Sequence, residues 1–303
     1  MDTSEPTKHN EAVATSTPVL AVARDDGLFG PSSVAWRVVG HPMAFVGGLR
    51  SLIIGALHPL VAAGTVEHSD YRNRPVERLR TTSRYVNATV FGDTTAARRA
   101  AEMVLRAHKR VHGIDPLTGK PYDAANTDEQ IWVHSVAWHS YMAAYRAYAG
   151  SLTTEEQDRY IAEGVAAAAM IGVPVERVPA SLIDLRDYWA TMRPQLCVGA
   201  NGSELIDFVI RPTFPPELLP LKIPYSILVR LAVSIIPSDL RSMMGISQPR
   251  ALGLATVPAG WSVARALTMP GVRDLMEVLF GGDVRALRQG ARARTKDASR
   301  RVA

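Results

Sequence analysis

The sequence predicts an all-α protein, on three observations. Apolar residues recur at helical spacing through most long segments, strict apolar/polar alternation never persists, and helix-start signals recur between short connectors rich in Pro and Gly. The expected organisation is a flexible arm over residues 1–32, one helical domain over 33–284 and a basic tail over 285–303. At 303 residues and 47% hydrophobic, the chain can bury a large core. Neither a linker nor a repeat at solenoid period divides the segment from 35 to 280.

The first segment is polar and rich in Thr, Ser and Ala, without periodicity, which predicts a mobile arm. It lacks the basic start and continuous apolar run of a secretory leader, and the single Cys197 excludes an internal disulfide. A cytoplasmic protein is therefore expected. The most membrane-like stretch, 43–66, is interrupted by Arg50, His58 and Pro59, so it predicts a buried helix, a turn and a second helix. Further on, Asp93 or Thr94 can cap a helix running from Thr95 to His112, with Gly113 ending it. Thr127–Gln130 and Thr153–Glu156 have capping-box spacing, and Ser181–Asp184 is a looser version.

The formal charge is +5, but seven Lys or Arg residues against one Asp fall after residue 284. The body is close to neutral, which removes the reason to expect a specific nucleic-acid partner. A basic tail attracts any polyanion, anionic lipid included, although a solvated, frayed end is the plainer expectation. Peripheral membrane contact through this tail is the corresponding partner expectation.

Half of the chain's histidines, His108, His112, His134 and His139, lie within one short stretch. On the predicted helix ending at His112, Ala97, Ala101, Val104, His108 and Val111 form one apolar stripe, with Arg98, Arg99, Glu102, Arg106, Lys109 and Arg110 opposite. His108 therefore points inward. A neutral imidazole in such a setting suits a heme iron or a transition metal, and it equally suits a core histidine bonded to a carbonyl. His112, in the last turn before a glycine, reads as a helix-end residue that favours the dipole. His134 shares a face with Ile131, Trp138, Tyr141, Tyr145 and Tyr148, whereas His139, five residues on, diverges from it by about 140°. Upstream, Arg78 and Thr82 at i, i+4 meet on one helix face and can hold a carboxylate or polarise a bound oxygen.

Several short elements then occur in a fixed order: Gly47-Gly48, Leu57-His58-Pro59, His68-Ser69, Pro75, Arg78-Leu79, Thr82, Phe91-Gly92, His108, Val111, Gly113, Tyr122-Asp123-Ala124, Trp132-Val133-His134 and Tyr145. From about residue 35 to about 245 the chain resembles the catalytic-domain family of latex clearing proteins, or rubber oxygenases. That family also holds the membrane-bound oxygenase of mycophenolic acid biosynthesis and many actinobacterial proteins. The resemblance implies a helical fold like a globin's heme pocket, heme b as cofactor, and O2 chemistry on an apolar, isoprenoid- or lipid-like substrate. It implies His108 as the proximal iron ligand, Arg78 and Thr82 as the arginine-x-x-x-threonine motif near the heme, and His134 as a residue near the pocket. Trp138, Tyr141, Leu57 and Val61 are expected linings.

Two departures matter. Where rubber oxygenases carry a lysine before the threonine, this chain has Thr81, so a lysine-closed iron is not expected. The carboxylate base of rubber cleavage has no clear counterpart either, since the matching stretch near Ala62 is apolar and only Glu67 and Asp70 lie nearby. Two other readings stay open. One is a nonheme metal held by His108, His112 and His134. The other is a noncatalytic helical heme- or lipid-binding protein that uses the apolar segment 221–236 and the basic tail at a membrane surface.

Overall fold

Helix α6 (Thr127–Tyr148) is apolar on nearly every side, and such a helix is stable only when surrounded. Trp132, Val136, Trp138, Met142, Ala144 and Tyr148 are all buried. Around it lie α1 (Val34–Gly40), α2 (Ala44–Gly55), α3 (Pro59–His68), α7 (Thr154–Met170) and α12 (Arg250–Thr268). The computed structural model describes residues 25–248 and 250–302. Among these are fourteen α-helices and a single two-stranded hairpin, as an all-α reading predicts. The remaining helices are α4 (Pro75–Phe91), α5 (Thr94–His108), α8 (Leu182–Met192), α9 (Ala200–Ile210), α10 (Lys222–Ser234), α11 (Ser238–Met243), α13 (Pro270–Phe280) and α14 (Gly282–Val302). Most of the arm expected over 1–32, residues 1–24, lies outside the described residues.

Close contact between α2 and α6 depends on Gly47. A methyl there would stand 2.8 Å from both the Ser140 carbonyl oxygen and Tyr141 Cα, and backbone cannot yield as a side chain can. Gly47→Ala is expected to cost about 1–3 kcal/mol, read from the urea midpoint at unchanged slope. One turn later Arg50 is buried. It donates to Ser140 Oγ at 2.7 Å and to the Ile235 carbonyl at 3.1 Å, the C-terminal cap of α10.

Helix starts follow the local chemistry. Thr153 and Glu156 close the reciprocal capping box on α7, Asp93 accepts the Ala96 amide at the head of α5, and Ser181 accepts that of Asp184 at α8. At α6 the capping oxygen belongs to Asn126, one residue before the expected Thr127.

Two sequence expectations change. First, α5 ends at His108, not His112: the chain turns and pairs β1 (His112–Ile114) with β2 (Pro121–Asp123), setting Gly113 opposite Tyr122. A Cβ at position 113 would fall 2.4 Å from the Tyr122 hydroxyl, so glycine serves here to receive a ring and not to end a helix. Second, the basic segment is a docked helix. In α14, Arg288 donates to Asn87 Oδ1 (2.7 Å) and the Val39 carbonyl (3.3 Å), Arg294 to the Phe91 carbonyl, and Arg292 forks onto buried Glu277 at 2.5 and 3.0 Å. Much of the charge excess therefore holds α14 against α1, α4 and α13 instead of facing water. Among the described residues no single helix is long and apolar enough to cross a membrane. The pair α1 and α2 has the combined length and composition but bends by 88° at its break.

Candidate functional site

The two-residue link Gly92-Asp93 folds α5 back along α4, which brings the start of α4 beside the end of α5. Arg78 and His108, thirty positions apart in sequence, thereby become electrostatic neighbours. Burial lowers the His108 pKa first, the Arg78 charge lowers it further, and Asp123 on β2 opposes them. The imidazole is therefore held neutral. Its Nδ1 is buried and has no hydrogen-bond partner, an unmet demand that a ligand to this ring would use.

Arg78 donates to Thr82 Oγ1 at 3.3 Å, as their spacing predicts. The Thr82 hydroxyl in turn donates to the Arg78 carbonyl at 3.1 Å, so its proton serves the backbone. Thr81 does the same toward the Glu77 carbonyl at 3.0 Å. Arg78 is exposed to water, yet desolvation lowers its pKa.

The hairpin supplies a neighbouring wall. The Tyr122 ring packs against Gly64 of α3, and its hydroxyl donates to Glu67 and pairs with His68 Nε2 at 3.0 Å. Burial and the Glu67 carboxylate raise the Tyr122 pKa to about 12. Sequence reasoning missed this Glu67–Tyr122–His68 cluster because it depends on two three-residue strands that carry no periodic signal.

His134 is placed elsewhere. It stacks on Trp138 (5.7 Å between centroids, 19°), bonds the Gly164 backbone of α7, and with Ile161, Pro179 and Leu185 borders a gap that holds little more than a water. Trp138 in turn donates to the Tyr160 carbonyl at 2.7 Å. None of these partners is shared with His108 or Arg78. His139 lies edge-on to Trp189 at 5.8 Å. Of the expected linings, Leu57, Trp138 and Tyr141 are buried in the core, and Val61 packs against it. A cavity of about 200 Å³ between α3, the turn after β1 and the start of α9 is lined by Pro59, Ala62, Asp115, Leu117, Asn201 and Gly202, none of them candidate site residues. Among the described residues no three His, Cys, Asp or Glu stand close enough together to hold a metal ion. The trio His108, His112 and His134 is thus dispersed over the end of α5, β1 and α6.

The deciding observation comes from comparison with known families. The model of the family described as ER-bound oxygenase mpaB/B'/Rubber oxygenase, catalytic domain, matches residues 36–269, more than three quarters of the chain. The chain belongs to this family. No curated protein and no solved structure matches it. The matched span runs from α1 to the last turn of α12 and includes Arg78, Thr82, His108 and His134, while α13 and α14 follow it. Membership makes this chain an oxygenase-type protein of the oxidoreductase class.

Burial lowers the pKa of His134 to about 4, against the pull of its Gly164 bond, and that of His139 to about 3, with Arg50 and Arg146 adding to the effect. The unfolded chain takes up these protons near pH 6.5 while the folded chain refuses them. Stability is therefore complete above about pH 6.5 and declines as pH falls toward 4, by on the order of 3 kcal/mol per ring. Urea midpoints measured between pH 7 and 4 are expected to fall, and His139→Gln should flatten the decline.

Proposed function

We propose that this oxygenase-family protein uses heme b held through His108, and acts with O2 on an apolar, isoprenoid- or lipid-like molecule. The observation that carries the proposal is the neutral, partly buried His108 imidazole, with an orphaned Nδ1, beside the Arg78 guanidinium. The chemistry of these residues fits the group: the neutral His108 imidazole would hold the iron, and Arg78, with donors to spare, would hold a propionate. When bound, heme supplies the activation of dioxygen, which no side chain here can provide.

The chain's own residues bind, orient and exclude. His108 remains neutral because burial and Arg78 both disfavour its proton. Arg78 presents a fork of donors, of which, among the described residues, one is engaged by Thr82. Thr81, where the resemblance would place a lysine, is short and bonded back to Glu77, so α4 leaves that face without a competing amine. Thr82 donates to a ligand only by releasing the Arg78 carbonyl. The apolar substrate class rests on family membership. A nonheme centre built on His108, His112 and His134 has no support in their dispersed positions.

The test is a pyridine hemochrome assay on protein expressed with ample heme precursor. About one heme per chain is expected. Stoichiometric iron or zinc without hemochrome would refute the reading.

A further inference from the structure

Helices α10 and α12 pack against each other, α10 chiefly on α2 and α12 on α6. Both meet the same residue, since the Tyr148 hydroxyl bonds the Leu231 carbonyl of α10 at 2.9 Å and a Cβ on Gly260 of α12 would strike the Tyr148 ring. Their inner faces are buried, through Leu228, Leu231 and Ala232 on one and Ala264 and Leu267 on the other. Their outer faces are apolar too. Ile223 is 74% exposed and Ile227 41% on α10, and Val257 is 46% and Trp261 49% exposed on α12. Among the described residues nothing covers these side chains. Scattered apolar residues on a surface need no explanation, but two adjacent stripes at i, i+4 form a patch.

The charges on these helices are one-sided. Neither 222–234 nor 250–268 contains an Asp or Glu, and each outer stripe runs on into an exposed arginine, Arg230 after Ile227 and Arg265 after Trp261. A stripe of aliphatic residues and tryptophan that ends in a long cation matches the layering of a bilayer interface, with acyl chains below and phosphates above. The tail, which composition alone marks as the basic element, turns Arg288, Arg292 and Arg294 inward onto protein partners.

From this juxtaposition we infer that the outer face of α10 and α12 is a docking surface for anionic phospholipid bilayers. Ile223, Ile227, Val257 and Trp261 enter the interface while Arg230 and Arg265 meet the phosphates. The inference is independent of heme, since it uses no residue of the His108 site. It commits to an extended lipid surface because the exposed stripes span two helices and none of their side chains lines the cavity between α3 and α9, whereas a single lipid would require a cleft.

Flotation of the full-length protein with vesicles tests it directly, using phosphatidylcholine alone and equal parts phosphatidylcholine and phosphatidylglycerol. The protein is expected to float with the anionic vesicles and far less with the neutral ones. Ile227→Ser/Trp261→Ser should weaken that binding roughly tenfold or more, and Arg230→Gln/Arg265→Gln should remove most of the preference for anionic lipid. Both side-chain pairs are exposed, so circular dichroism should not change. A wild-type protein that stays unbound overturns the inference. So does an Ile227→Ser/Trp261→Ser variant that floats as well as wild type, or a wild-type dimer, seen by light scattering, that this variant dissolves while vesicles are ignored.

Discussion

Purified His108→Ala protein is expected to lose essentially all heme and, with it, all oxygenase turnover, while its fold persists. The structure separates these outcomes. His108 is the last residue of α5, half-buried, with an Nδ1 that bonds nothing, so removing the ring deletes an unmet polar group without leaving a hydrogen-bond partner stranded at Nδ1. The unfolding midpoint of the heme-free variant should therefore stay close to that of heme-free wild type. Arg78→Ala should act more mildly. Loss of one charged hydrogen-bond donor costs about 1.5–3 kcal/mol, or roughly 10- to 100-fold faster heme loss to a scavenger such as apomyoglobin. A ring that served only the core would show the opposite pattern, with stability lost and heme retained.

The largest effect on stability is expected at Arg50. Arg50→Ala removes a fully buried side chain, opens a cavity between α2 and α6, and strands the Ser140 hydroxyl and the Ile235 carbonyl at the end of α10. Core truncations with orphaned partners cost about 3–5 kcal/mol. Urea denaturation of purified protein should show this loss. Arg50→Met should recover part of it, because a buried guanidinium without a carboxylate carries its own desolvation cost, visible as a pKa lowered to about 10. If Arg50→Ala and Arg50→Met are equally damaging, the hydrogen bonds matter more than the filled volume.

How far sequence carried depended on the range of the interaction. Thr153, Asp93 and Ser181 act within one turn of their own helices, so their caps were legible. The approach of Arg78 and Thr82 at i, i+4 was local in the same way. The hairpin around Tyr122 was not, since strands of three residues cannot establish a period and the role of Gly113 is set by a ring nine positions away. His134 shares an aromatic helix face with Trp138 as expected, but its partners come from α7 and α8, which helix periodicity does not reveal. The basic segment misled for a related reason. A charge count gives the number of arginines but not the carbonyls, the asparagine and the glutamate that receive them.

The most direct measurement is the absorption spectrum of the purified full-length protein, oxidised and dithionite-reduced, with and without carbon monoxide. A single imidazole ligand and no lysine at Thr81 predict a Soret band that shifts on reduction and again, promptly, on adding carbon monoxide, and that is missing from His108→Ala. A protein expressed with ample heme precursor that shows no Soret band would contradict heme ligation by His108. So would a Soret band that persists unchanged in the variant.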